Sequence, residues 1–357
     1  MKILHIMDVS NCDCSGVASA VKMYLKYESE MTDIALYNLN DDMSSKYVKS
    51  YNYKDYRRIE DLPDSFNKPD LVVFNEVYKP KYLKLYKECL NRNIKYVIIP
   101  HGCLVTAAQN KKRLKKIIGN IVFFNKFIKN ADAIQFLNEN EYLSTKLKYK
   151  NYIICGNGVE IPNNQNLCKN KELLYIGRYD INVKGLDIMA QLCKKYYSWF
   201  KQNEVKICLY GKAYETMYNN LINMVKEFKI EDVMVINGPI YAKEKEKKLL
   251  QCYGFIQLSR NEGQPMGILE ALSYGVPCIV TYNTTFGEYV NENNCGFGVT
   301  LDVDYIFSKI KELYENQDGR KEMSNNAKKY IANDFNWKKV IINTYNEYKR
   351  ILNDSKK

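Results

Sequence analysis

Residues 259–281 read SRNEGQPMGILEALSYGVPCIVT, and the fold can be worked out from them. The segment just before, Phe255–Leu258, has the length and composition of a buried strand. Gly263, Pro265 and Gly267 then keep a loop short and let the backbone come close to a ligand. A helix is expected from near Met266 until just before Gly275, because Val276–Pro277 forbids its continuation. Cys278–Thr281 is the next strand. Strand, glycine-bearing loop, helix and strand together form one unit of a parallel sheet. The N-terminus of the helix offers unpaired N–H groups and a positive dipole end, which suit a phosphate. Glu262 precedes the helix and Glu270 lies one turn into it, so the two can border one pocket. Carboxylates accept hydrogen bonds from sugar hydroxyls. Acid, phosphate cradle and acid in this order fit a nucleotide-sugar.

Working outward, residues 174–189 (LYIGRYDINVKGLDIM) repeat the pattern. A strand is followed by Gly177, Arg178, a short loop and Lys184–Gly185 at a helix start. Arg178 and Lys184 can converge on a diphosphate; the alternative is a surface pairing with Asp180 or Asp187. Further strands are expected at Leu173–Ile176, Val205–Tyr210 and Val233–Ile236. Before them come Lys2–Met7, Leu71–Phe74, Tyr96–Ile99, Ala133–Leu137 and Tyr152–Cys155. The polar, proline-containing stretch 161–170 suits a linker. The chain therefore reads as two α/β halves of parallel sheet, with a ligand expected in the cleft between them at the carboxyl ends of the strands. Asp302–Asp304 reads as a cap and first-turn charge on a helix running to about Glu315, rather than as a metal site. The run KEKEKK at 243–248 reads as the solvated face of a helix, and Trp337–Leu352 as a final amphipathic helix.

The composition narrows the classes. The chain has 357 residues, 46% of them hydrophobic, which excludes global disorder. No run of about 18 apolar residues is present, so no spanning helix is expected. The start, MKILHIMDVSNCDCSG, reads as a first strand rather than a signal peptide, and the 11 Cys are then expected as free thiols in a reducing compartment. No Cys-x-x-Cys pair occurs, which argues against zinc. The net charge of +12 favours anionic partners such as nucleic acid, phosphorylated substrates or acidic lipid. Coding bias toward Lys, Asn and Tyr accounts for the same charge equally well.

The segments 174–189 and 259–281 resemble those of the family-four, or group 1, retaining glycosyltransferases. Glu262 and Glu270 match that family's E-x7-E motif. GR…KG matches its donor diphosphate site, with an Arg-to-Lys spacing of six that is one longer than the commonest form. The resemblance implies the GT-B architecture, with two Rossmann-like domains facing across a cleft: residues 1–163 on the acceptor side, 164–335 holding the donor, and a helix at 336–357 packing back on the first domain. It implies that Glu262 faces the donor sugar and Glu270 the ribose. Arg178 and Lys184 would hold the diphosphate, and the amides of Gly267, Ile268 and Leu269, with Gly263 and Met266 in the same loop, would approach the phosphates. Gly211 in LYGK and Ile240 in NGPI match loops lining the nucleotide. In the first half, Gly16 in SNCDCSGVASAV resembles the family's glycine loop, where many members carry two glycines. His101 in VIIPHGCL resembles a His-Gly element beside the reacting sugar; a loop-capping histidine is the alternative reading. His5, inside the first strand, reads as a packed core residue.

The implied reaction is transfer of a hexose with retention, by front-face substitution, with no metal and no cofactor beyond the nucleotide-sugar substrate. The expected acceptor is a glycan or a lipid-linked saccharide of cell-surface polysaccharide synthesis. Residues 102–131 carry seven cations and no acid, interleaved with apolar residues at helical spacing. One reading is an anionic-membrane contact, which would make the protein cytoplasmic and peripheral on the inner face of the cytoplasmic membrane. The other is an ordinary helix with its lysines in water. Two different functions remain as alternatives: a nucleotide-sugar epimerase of the same architecture, and a non-enzymatic binder of anions or nucleic acid. The first is disfavoured by the paired motifs, and no nucleic acid partner is expected on the leading reading.

Overall fold

Runs of Val, Ile, Leu, Tyr and Phe set between amphipathic segments form parallel strands covered on both faces. The computed structural model describes residues 1–8, 16–40, 44–63, 65–106, 109, 119, 123–145, 151–212 and 215–354. Most of the predicted glycine loop (9–15), with Cys12 and Cys14, lies outside the described residues, and so do Lys111, Lys112, Arg113, Lys115 and Lys116 of the basic stretch. The chain divides into two units, Met1–Gly158 with Trp337–Lys357, and Val159–Asn336. The first division thus falls after residue 158, ahead of the polar stretch that suggested a boundary after 163.

The first unit holds a seven-stranded sheet in the order β3-β2-β1-β4-β5-β6-β7. The strands are β1 (Lys2–Met7), β2 (Asp33–Asn38), β3 (Lys49–Asn52), β4 (Leu71–Asn75), β5 (Lys95–Ile99), β6 (Ala133–Phe136) and β7 (Tyr152–Ile154). All neighbouring pairs are parallel. Alternate residues enter opposite cores, as the two-residue period of a strand requires. Leu4, Ile6, Val72 and Phe74 share one cluster, and Ile3, Met7, Leu71 and Val73 the other.

The second unit holds six strands in the order β10-β9-β8-β11-β12-β13. They are β8 (Glu172–Ile176), β9 (Lys206–Tyr210), β10 (Met234–Asn237), β11 (Gly254–Gln257), β12 (Cys278–Thr281) and β13 (Gly296–Val299). The strand order reverses between β8 and β11, and open parallel sheets bind ligands just beyond such a switch point. Three strands, β2, β3 and β13, are absent from the sequence reading. β3 is four residues of mostly polar KSYN at a sheet edge. β13, GFGV, has two glycines, which lower strand propensity.

The last helix, Trp337–Asn353, belongs to the first unit and packs on the helix Gly16–Glu28. Trp337 meets Tyr24 edge-on at 5.2 Å between ring centroids and stacks on Tyr27 at 6.1 Å. Its backbone presses on Gly158, where an added Cβ would lie 2.7 Å from the Trp337 Cα. Tyr348 donates from its hydroxyl to Gln135 Oε1 (2.7 Å), which anchors the far end. The Asp302 carboxylate caps the helix Val303–Glu315 by accepting from Tyr305 N–H (2.7 Å). Among the described residues no helix is long and apolar enough to cross a membrane.

Trp337 is 2% exposed. Trp337→Ala should cost about 3–5 kcal/mol of stability, as large aromatic truncations in cores do. Urea unfolding measures it; a loss under about 1 kcal/mol would mean that the helix is not docked as described.

Candidate functional site

The site in the second unit is built from the loops after β8 and β11, on either side of the strand reversal. After β8 the chain turns through Gly177 and Arg178, and Tyr175 donates from its hydroxyl to the Arg178 C=O (2.8 Å). Asp180 folds back to accept from Val183 N–H (3.1 Å). Gly185 opens the helix Leu186–Lys195 in the left-handed region, φ 65°. Any side chain there would be strained, and its Cβ would lie 2.0 Å from the Leu258 carbonyl oxygen. Glycine is therefore required where this loop crosses the end of β11.

Arg260, just after β11, locks the two loops together. Its guanidinium forks onto both Asp187 carboxylate oxygens (2.8 and 2.7 Å) and also donates to the Asn182 C=O (2.6 Å). Its N–H donates to the Val183 C=O (2.9 Å). A planar fork on a carboxylate fixes direction as well as distance. Asp187 is thus committed to Arg260 and Asp180 to its own turn. Arg178 stays exposed, with no side-chain partner among the described residues, so the surface-pairing alternative is not what the structure contains.

Glu262 and Lys184 form an ion pair, with side chains 14% and 13% exposed. The same carboxylate oxygen, Oε1, accepts from Gln257 Nε2 (2.9 Å) and Ser259 Oγ (3.0 Å). Three donors therefore converge on Oε1 and leave Oε2 as the open acceptor. Lys184, expected beside Arg178 on a phosphate, instead neutralises Glu262 here. A paired charge costs far less to half-bury than an isolated one.

Pro265 precedes the helix Met266–Ser273. The Ile268 and Leu269 N–H groups both donate back to the Pro265 C=O (3.1 and 3.4 Å). These two amides, expected at the phosphates, are thus already used, and the Ile268 and Leu269 side chains are buried in the core. The open donors are those of Met266 and Gly267, which have no intrahelical acceptor. Gly267 also lies close beneath β8, where an added Cβ would be 3.0 Å from the Ile176 carbonyl oxygen. Gly263 is held by Thr285 Oγ1 donating to its C=O (3.1 Å).

Glu270, one turn into the helix, receives Lys245 on both carboxylate oxygens (2.8 and 2.9 Å). Lys245 belongs to the helix Ala242–Gln251, which carries the KEKEKK run. That run is therefore not uniformly solvated: Lys245 turns to Glu270, and Lys248 turns to Glu172 (3.5 Å) and over the Tyr210 ring. Gly211 sits where an added Cβ would lie 1.9 Å from the Gly177 carbonyl oxygen, so the turns after β8 and β9 touch through glycine backbone. Ile240 is 7% exposed, with its side chain in the core beside Tyr210 and Leu249. Only its backbone is left to face a ligand.

In the first unit, His101 follows β5 with φ 50°, a strained value for a residue with a Cβ. Asn75 donates its amide to the Ile6 C=O (3.4 Å), which turns Asn75 Oδ1 to His101 Nε2 (3.2 Å). Nε2 then carries the proton and Nδ1 is the free acceptor. The next amide, Gly102 N–H, is held by Glu141 Oε1 (2.6 Å), while Oε2 of that buried acid takes Leu137 N–H (2.7 Å). Burial raises the Glu141 pKa, and these two backbone bonds work against that rise. His5 is fully buried, with Nε2 2.6 Å from Glu28 Oε2, in keeping with a core role. Gly16 begins the first described helix, with open space around it.

Residues 159–330 match the model of the family described as Glycosyl transferases group 1. This match takes in nearly the whole second unit, just under half of the chain, and likens that unit to the group 1 glycosyl transferases. Solved structures agree over nearly the full length. Sucrose-phosphate synthase from Thermosynechococcus elongatus superposes with TM-score 0.75 at 14% identity, covering 98% of each chain. Anabaena Alr3699/HepE, solved with UDP and glucose, gives 0.76 at 13%, over 98% of this chain and 100% of that one. S. aureus TarM, solved with fondaparinux, alpha-GlcNAc-glycerol and UDP, gives 0.72 at 13%, over 99% of each. The architecture is GT-B. Among curated proteins, a GDP-mannose:cellobiosyl-diphosphopolyprenol alpha-mannosyltransferase of Xanthomonas oryzae is 21% identical over 186 residues. The aligned region is 51% of this chain, and the chain spans about half (47%) of that relative's length.

Burial, and secondarily the His5 charge, lower the His101 pKa from its ordinary 6.5 to about 4. An NMR titration should find a neutral imidazole down to about pH 5; a midpoint near 6.5 would contradict the described burial. Because the folded pKa is depressed, the unfolded chain binds more protons between about pH 4 and 6.5. Stability should accordingly fall as pH drops through that window.

Proposed function

We propose that the chain is a retaining glycosyltransferase moving a hexose-type sugar from a nucleoside-diphosphate sugar to a glycan or lipid-linked saccharide in cell-surface polysaccharide synthesis. The observation that carries this is the content of the switch point between β8 and β11. There two cations, Arg178 and Lys184, and the open amides of Met266 and Gly267 accompany two carboxylates, Glu262 and Glu270.

On this reading the diphosphate takes Arg178, the Met266 and Gly267 amides and, after exchange from Glu262, Lys184. Glu262 Oε2 accepts from a hydroxyl of the donor sugar, and Glu270 from the ribose. Gly211, Gly263 and the backbone at Ile240 line the nucleotide. The C1–O bond to the phosphate breaks as the C1–O bond to the acceptor forms on the same face. The acceptor's hydroxyl proton passes to the departing phosphate, so no protein base is needed. Catalysis is then mainly stabilisation of the developing phosphate charge by donors already in place. No metal is required, because Arg178, Lys184 and the helix dipole supply the positive charge. In the first unit, His101 as a neutral imidazole is assigned to positioning the reacting saccharide, and Gly16 to the phosphate-facing loop.

UDP is the first candidate nucleotide, since two of the structural relatives were solved with it; the mannosyltransferase relative uses GDP-mannose by name. That relative's acceptor is a diphosphopolyprenol-linked saccharide, and the proposed place of action is the cytoplasmic face of an anionic membrane, met by the basic stretch 111–128.

The test is Arg178→Ala with Lys184→Ala. Donor turnover should fall by about 10²–10³-fold or more, the scale seen when preorganised charge stabilisation is removed. The melting temperature should fall only modestly, because Glu262 loses its cation but keeps the Gln257 and Ser259 donors, and wild-type turnover should survive EDTA. Unchanged turnover in the folded double variant would remove the proposed diphosphate site.

A further inference from the structure

Glu270 is met by a lysine from another helix. Lys245 lies 25 positions earlier, on the helix that follows β10 and the loop 238–241. Its ammonium sits between the two carboxylate oxygens at 2.8 and 2.9 Å, with the two side chains 29% and 28% exposed. The pair is therefore neither deeply buried nor freely solvated. The neighbouring cation Lys248 points elsewhere, to Glu172 and Tyr210, so Lys245 alone on this helix addresses Glu270 among the described residues.

We propose that Lys245 is a positioning residue for nucleotide recognition, holding the Glu270 carboxylate in the orientation that reads the ribose hydroxyls and cancelling its charge beside the diphosphate. The inference rests on the donor-site reading above. A carboxylate has roughly four lone-pair sites. A lysine straddling both oxygens occupies the inner pair and leaves the outer pair for two vicinal hydroxyls. It also removes an electrostatic conflict. An unpaired Glu270 on the same helix as the Met266 and Gly267 amides would repel a dianionic or trianionic diphosphate at close range. Lys184 performs the same service for Glu262. Lys184, however, is needed by the phosphates on the proposed reading, whereas Lys245 can stay with its acid when the nucleotide binds.

The readout is the ratio of affinities for a ribonucleotide and its 2′-deoxy counterpart, which a merely structural ion pair would not affect. UDP, GDP and ADP are titrated first against wild-type protein. The tightest of them is then compared with its 2′-deoxy form on wild type, Lys245→Met, Lys245→Arg, Glu270→Gln and the Lys245→Met/Glu270→Gln double variant. Lys245→Met should weaken ribonucleotide binding about tenfold, the scale of one lost charge-assisted interaction. It should also compress the ribo-to-deoxy ratio by at least about threefold, while Lys245→Arg restores most of that ratio. The double variant should be no worse than the poorer single one, because the lysine acts through the acid. Failure of wild type to bind any of the three nucleotides would overturn the donor-site reading itself. Binding by wild type with an unchanged ribo-to-deoxy ratio in folded Lys245→Met would overturn only the role of Lys245.

Discussion

The docking of two loops at the end of β11 is the constraint on which the site depends. Gly185 passes so close to the Leu258 carbonyl that no side chain fits, and the Arg260–Asp187 fork fixes the same crossing from the outside. The first contact is a matter of volume, the second of directed charge. Together they bring Lys184 onto Glu262 and set the start of the Met266–Ser273 helix under the end of β8. Loops of this length would otherwise sample many conformations, and the cost of ordering them would fall on ligand binding. Here that cost is met on folding for the backbone of the loops, and on the proposed reading only the Arg178 and Lys184 side chains still have to move onto a diphosphate.

A second regularity is charge pairing within the site. Each acid of the E-x7-E pair has its own lysine, Lys184 for Glu262 and Lys245 for Glu270. The two pairs differ. Glu262 concentrates three donors on Oε1, which orients the whole carboxylate toward its free oxygen. Glu270 spreads one lysine over both oxygens. The first arrangement suits a single directed contact and the second a pair of equivalent ones. Arg178 lacks a side-chain partner among the described residues and remains available to an incoming anion without giving up a contact.

Local patterns were legible in the sequence where a strand runs directly into a glycine-bearing turn. Lys2–Met7 and Cys278–Thr281 match the expected strands, and the helix after Pro265 begins at Met266 as expected. Two of the three strands missed owe their stability to neighbours rather than to local sequence. β3 is a short edge strand, and β13 carries Gly296 and Gly298, packed where side chains would collide with the Cys278 and Gly287 backbone. Composition argues against such segments, and only the neighbouring chain explains them. The same limit applied to the site. The two acids, Arg178 and Lys184 stood out by spacing. Gln257, Ser259, Arg260, Lys245 and Glu141 did not, because each acts on a partner brought close by the loops or by another element. Lys245 was hidden within a run that looks like an ordinary wet helix face. That the Ile268 and Leu269 N–H groups donate to the Pro265 C=O is likewise visible only in the backbone geometry.

The most direct test of the account is a crystal structure with whichever of UDP, GDP or ADP binds tightest. The account predicts the diphosphate at the Met266 and Gly267 amides, within reach of Arg178, with Lys184 moved from Glu262 onto a phosphate oxygen. A nucleotide bound elsewhere, with the Lys184–Glu262 pair unchanged, would contradict it.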